Sequence, residues 1–141
     1  MRKLIFAGLF LSLLGCSTDD PLVDEFYFEI LPIIEVIDMP TSVNFNDVYT
    51  VHYTYTLPTT CHSYEDLYYL TSGTERTVAV VSRVINEVNG AICEDIIDPQ
   101  PIQGSFNFHV LNNNGTYIFK FWQGTDENGQ DEYLVYEVPI N

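Results

Sequence analysis

The chain has 141 residues, a length for one domain, and its 5 lysines and arginines stand against 20 aspartates and glutamates for a formal charge of −15. A field of that sign repels phosphate backbones and anionic headgroups, which argues against nucleic acid as a partner and against a domain lying flat on a membrane. Cationic partners, divalent ions or simple solubility fit the charge, and charge alone gives no specificity.

The first segment reads as a leader. Arg2 and Lys3 precede an apolar run from Leu4 to Leu14, and Ser12-Leu13-Leu14-Gly15-Cys16 closes it. As a helix that run would rise only about 16 Å, roughly half of a hydrocarbon core, so it is no ordinary transmembrane span. The pattern resembles a bacterial lipoprotein signal, whose lipobox is cut just before its cysteine. The resemblance implies that residues 1–15 are a cleaved signal peptide and that Cys16 becomes the lipidated first residue of the mature protein. Two or three acyl chains then anchor the chain durably to the outer membrane, facing the cell surface or the periplasm. Arg76, Arg83 and Lys120 are the cations that remain after cleavage.

Residues 16–29 form the expected acidic linker. Its opening, Ser17-Thr18-Asp19-Asp20, resembles the short tags that mark surface export in Bacteroidota-type lipoproteins; an acidic spacer that lifts the domain off the bilayer accounts for it equally. The folded domain is expected over residues 30–141. Leu31 to Ile37, interrupted by Pro32, suits an edge strand, since proline donates no ladder hydrogen bond. Tyr49, Val51, Tyr53, Tyr55 and Leu57 then alternate with Thr50, His52, Thr54 and Thr56, the pattern of a strand with one packed and one wet face. Cys61 to Thr71 makes another strand before a Ser72-Gly73 turn. Thr77 to Val88 is a β-branched run too evenly apolar to give its inner face, and a bulge is expected there. Phe106, Phe108 and Val110 alternate with polar residues, and Tyr117, Phe119 and Phe121 continue the inward face beyond Asn112-Asn113-Asn114-Gly115. An Asn128-Gly129 hairpin leads into the last strand, Tyr133 to Ile140. With no sustained helical period, these segments predict an all-β, antiparallel sandwich of about seven strands.

Cysteine parity agrees with export. Once Cys16 is assigned to lipid, Cys61 and Cys93 remain as an even pair in an oxidising compartment, and a structural bridge is expected in preference to a reactive thiol beside His62.

Asn114-Gly115-Thr116-Tyr117-Ile118-Phe119 resembles the turn that leads into strand F of immunoglobulin-like domains. The resemblance implies that Tyr117 is a corner residue whose hydroxyl reaches back to the backbone. Phe119 stands where an antibody-type domain has its second cysteine, so the inter-sheet bridge of that class is absent and Cys61–Cys93 is a different staple. The likeness to small immunoglobulin-like lipoproteins of Bacteroidota is nearly silent on function, because this architecture hosts many unrelated roles.

Three site readings follow. His62, Ser63 and Asp66 are close in sequence, yet neighbours on a strand point to opposite faces and no nucleophile elbow or oxyanion signature accompanies them. The chain is therefore not expected to be an enzyme or to carry a cofactor, and His52, His62 and His109 are expected on exposed polar faces. Asp126, Asn128 and Asp131, near Glu127 and Glu132, form a weak calcium candidate around a glycine turn, but a hairpin wants the same residues for backbone reasons. Ten tyrosines, nine phenylalanines and one tryptophan exceed what one inner face needs, so some rings must be at the surface. Trp122, Tyr133, Tyr64 and Tyr68 are the candidate surface for a protein or carbohydrate ligand. The expected role is a cell-envelope binding module; the alternative is a passive structural or envelope-assembly lipoprotein with no small ligand.

Overall fold

The computed structural model describes residues 25–87, 90 and 92–141. The expected signal peptide, Cys16 and the linker as far as residue 24 lie outside the described residues. Eight strands build the domain: β1 (Phe26–Leu31), β2 (Glu35–Val36), β3 (Val48–Tyr55), β4 (His62–Ser72), β5 (Glu75–Ile85), β6 (Ile102–His109), β7 (Thr116–Thr125) and β8 (Asp131–Pro139). They form an all-β sandwich, with β1, β4, β5, β7 and β8 in one sheet and β2, β3 and β6 in the other. Among the described residues the first strand begins at Phe26, ahead of the expected Ile30. Four residues given to the linker belong to β1, because Phe26, Phe28 and Ile30 alternate and pair with β5 from Ile85 to Val81.

Strand β5 is the centre of the larger sheet. It pairs with β4 along nearly its whole length, so its other edge must be shared, by β1 over Val80 to Ile85 and by β7 over Glu75 to Val78. Its outer-face residues are also covered, Ala79 being buried and Val81 half-buried between neighbouring rows, and this explains the even hydrophobicity that hid its inner face from sequence periodicity. That face carries Val78, Val80, Ser82 and Val84, all buried, and the Ser82 hydroxyl donates to the Ser63 carbonyl at 2.9 Å. Among the described strands β5 and β7 form the parallel pair and the other pairings are antiparallel; an isolated bridge between Val43 and Ile140 is also parallel. The expected bulge falls not in β5 but opposite it, at Glu65 of β4.

Because β7 occupies the same edge of β5, β1 cannot run on past Leu31. Pro32 takes the chain off the ladder, Ile33 donates its N–H to the Trp122 carbonyl at 2.8 Å, and Glu35–Val36 reappear in the opposite sheet beside β3. The single edge strand expected over Leu31 to Ile37 is thus two short strands in two sheets.

Inward rows from both sheets make the core: Val51, Tyr53 and Tyr55 from β3, Phe108 from β6, and Tyr117, Phe119 and Phe121 from β7. Phe108 meets Tyr117 and Phe119 edge-on, with centroids 4.8 and 4.9 Å apart, an arrangement the ring quadrupoles favour. The Tyr117 hydroxyl accepts the N–H groups of Leu111 (3.2 Å) and Asn112 (3.0 Å) and donates to Asn112 Oδ1 (2.8 Å). A fully buried phenol is thereby satisfied, and the β6–β7 corner is fastened to the core.

Cys61 and Cys93 are bonded, with Cα atoms 5.2 Å apart. The bridge ties the start of β4 to the β5–β6 connection, and backbone bonds from Thr60 to Glu94 (3.0 Å) and Ile96 to Pro58 (2.9 Å) flank it.

Candidate functional site

The two outer faces of the sandwich differ in chemistry. On the smaller sheet the outward rows are Val48, Thr50, His52 and Thr54 from β3 and Gln103, Ser105, Asn107 and His109 from β6, a mainly polar surface with one exposed valine at its end. On the larger sheet the outward positions include Phe26, Phe28 and Ile30 on β1, Tyr68 and Leu70 on β4, Trp122 on β7, and Tyr133 and Val135 on β8. Phe28 is 57% exposed and Leu70 50%.

Within this face lies a groove of about 350 Å³. Its floor is Ala79 and Thr77 on β5, where side chains are short; Tyr68 and Leu70 wall one side, and Ile30, Trp122 and Tyr133 the other. A central strand with small residues between aromatic neighbours makes a trough where a uniformly large row would make a flat sheet. Trp122 and Tyr133 are direct cross-strand partners. Beyond them β7 bulges at Gln123, with Gly124 at φ 115°, a conformation that side chains rarely adopt.

Asp131 closes this end of the groove. It accepts Trp122 Nε1–H at 2.9 Å and the Tyr133 hydroxyl at 3.4 Å, while Lys120 Nζ stands 4.7 Å from the Tyr133 ring centre. Burial first, then the Asp131 carboxylate, raises the Tyr133 phenol above its usual range; Lys120 opposes the shift and Tyr68 adds to it. The rings of Trp122 and Tyr133 are therefore held by a shared carboxylate, which presents their faces at a reduced cost in side-chain entropy.

Three of the four aromatics chosen from sequence, Trp122, Tyr133 and Tyr68, meet here. Tyr64 does not. It precedes the Glu65 bulge, which changes the facing of the strand, and its ring packs 5.9 Å from Tyr55 at the side of the sandwich. Leu70, Ile30 and Ala79 were missed, since aliphatic residues carry no surface signal until the strand order is known.

The calcium candidate does not assemble. Asp126 Oδ1 accepts the N–H groups of Asn128 and Gln130, both at 2.8 Å, and the Gln130 bond leads in holding its carboxyl below the usual range. Asp131 is turned to Trp122 instead, so the loop residues serve the hairpin. Among the described residues no three His, Cys, Asp or Glu side chains cluster as metal ligands.

The histidines sit apart. His52 Nδ1 pairs with Asp38 Oδ2 at 2.6 Å, and His109 Nε2 with Asn46 Oδ1 at 3.3 Å. Hydrogen bonding from the His52 backbone N–H, then from its ring, lowers the Asp38 carboxyl. His62 is not on an exposed face: its side chain is 6% exposed, held between Thr59 Oγ1 (2.7 Å) and Glu29 Oε2 (2.9 Å). Thr59 Oγ1 also accepts the Cys61 N–H at 3.2 Å, so this line of groups fastens the disulfide-bearing turn to β1. Ser63 and Asp66 take no part in it; their side chains bond the Arg83 carbonyl and the Leu67 N–H.

No protein-family model, curated protein or solved structure matches the chain.

Proposed function

We propose that the chain is a lipid-anchored cell-envelope protein, held through Cys16, whose single sandwich is a non-enzymatic binding module of immunoglobulin-like type. Its ligand is seated on the outer face of the larger sheet, over the groove between Tyr68 and Trp122. The observation that supports this reading is the contrast between the two outer faces, one polar along its central rows with Val48 and Ile37 at its margins, the other aromatic and concave. An exposed apolar surface on a soluble domain marks a contact site more often than it marks anything else. Carbohydrate is the favoured ligand. Sugar rings present C–H faces that stack on Trp and Tyr, and Thr77 and Asp131 place polar atoms among the apolar walls. The formal charge of −15 favours an uncharged glycan over an acidic one. Protein is the second reading, favoured by the spread of Phe26, Phe28 and Ile85 beyond the groove.

Trp122 is the only tryptophan, so the site reports on itself. Titration with cellohexaose, xylohexaose and chitohexaose is expected to shift its emission for at least one of them, with Tyr68→Ala weakening that binding about tenfold, the equivalent of about 1.4 kcal/mol. An unmoved emission up to millimolar concentrations of all three would remove the carbohydrate reading. Metabolic labelling with an alkyne palmitate, lost in Cys16→Ser, tests the anchor.

A further inference from the structure

We propose that the free edge of β6 is a strand-accepting slot, filled by an extended segment of a partner protein that alternates apolar and polar side chains and carries basic flanks. Among the described strands, every other free edge is defended against strand addition. β8 is bordered by Asp131, Glu132, Glu137 and Pro139; β2 is only two residues long; β1 carries Glu29; and β4 is bulged at Glu65, next to Asp66, whereas the proline nearest β6, Pro101, stands just before the strand. Charges, prolines, bulges and shortness are the usual means of blunting an edge. β6 uses none of them. Ile102-Gln-Gly-Ser-Phe-Asn-Phe-His109 holds no acidic residue, lysine, arginine or proline, and its eight residues pair with β3 on one side without a register shift. They offer about 26 Å of unpaired ladder on the other.

The space beside that edge is apolar and open. One depression of about 340 Å³ lies between Leu67, Tyr69 and Thr71 of β4 and the Phe106 to His109 end of β6, with Arg76 of β5 in its lining, its guanidinium turned to the Gly73 and Glu75 carbonyls. A second, of about 310 Å³, lies between Tyr53, Tyr55 and Tyr64 and the Gln103 to Ser105 end. Consecutive β6 residues border both, so the opening follows the strand edge. The inward row of β4 is left half-covered there: Tyr69 touches Phe106 with centroids 5.5 Å apart yet remains 38% exposed, and Thr71 is exposed. A fourth strand beside β6 would satisfy its free N–H and C=O groups and cover Leu67, Tyr69 and Thr71 with alternate side chains. At the bulge end stand Asp66 and Glu65, the latter paired with Arg83 at 3.4 Å; Arg76, at the other end, is bound to backbone carbonyls, and the whole chain is strongly acidic. Basic flanks are therefore attracted, while a second copy of this chain brings like charge.

The test uses the full chain and a fluorescein-labelled nine-residue peptide that alternates valine and threonine between terminal lysines, followed by anisotropy. Saturable binding is expected, with slowed amide exchange over residues 103–109. N-methylation of alternate peptide amides should abolish it, and glutamate in place of the terminal lysines should weaken it about tenfold. Thr71→Lys, an inward charge at an exposed position, should also weaken it about tenfold, whereas Tyr68→Ala on the outer face should leave it unchanged. The proposal is overturned by absence of binding up to millimolar peptide, by equal binding of the N-methylated peptide, or by loss in Tyr68→Ala in place of Thr71→Lys. Sedimentation of the protein alone as a dimer that Thr71→Lys disperses would also overturn it, because the slot would then hold a second copy.

Discussion

Replacing Cys61 and Cys93 together by serine is expected to lower the free energy of unfolding by about 3 to 4 kcal/mol, from the loop entropy that the cross-link removes from the unfolded chain. The closed loop spans 32 residues and contains all of β4 and β5. The central strand of the larger sheet therefore lies inside it. Urea unfolding of both proteins checks the value, and the m-value should rise in the variant as its unfolded state expands. A loss below about 1 kcal/mol would instead mean that the backbone bonds from Thr60 to Glu94 and from Ile96 to Pro58 carry the connection by themselves.

Gly104→Val is expected to cost about 3 to 5 kcal/mol, the range for losing a buried aromatic ring from a core. Gly104 lies opposite Tyr53 in the β3–β6 ladder, and a Cβ built on it would stand 2.5 Å from Tyr53 Cζ and 2.6 Å from its hydroxyl oxygen. The ring covers the glycine directly. Tyr53 is 1% exposed, and burial, its leading cause, pushes its phenol well above the ordinary range, so moving the ring exposes surface that the fold keeps dry. Adding a side chain forces it out and opens a void beside Phe106. Thermal melts of Gly104→Val, Tyr53→Val and the double variant form the check. The double variant should be clearly more stable than the sum of the single losses predicts; simple additivity would show that strand propensity, rather than the clash, sets the cost.

Much of the sandwich was legible before its strands were placed. The alternation of Tyr49 to Leu57 gave the inner face of β3 from spacing alone, whereas the Tyr117 corner came from the resemblance of the Asn114-Gly115 turn to immunoglobulin-like domains, and the bridge from an even cysteine count once Cys16 was set aside. The candidate face was legible only in part. Trp122, Tyr133 and Tyr68 were visible as surplus aromatics, but Ala79 between them looks like any residue of an apolar run, and it is what makes the face concave. Tyr64 went astray because a bulge leaves no mark in hydrophobicity when Glu65 and Asp66 follow in succession. Phe26 to Glu29 were hidden by their acidic neighbours.

The sequence by itself determined the class of the fold, the inward rows of β3 and β7 and the disulfide, because side-chain alternation and thiol pairing are local or countable. Tertiary structure alone decided that β5 lies between β4 and the shared β1–β7 edge, that β5 and β7 run parallel, that three aromatics converge while a fourth does not, and that β6 keeps a bare edge. Every strand offers the same N–H and C=O groups to any neighbour, so the choice of partner is made by how whole rows of side chains pack, and no short stretch of chain contains that information.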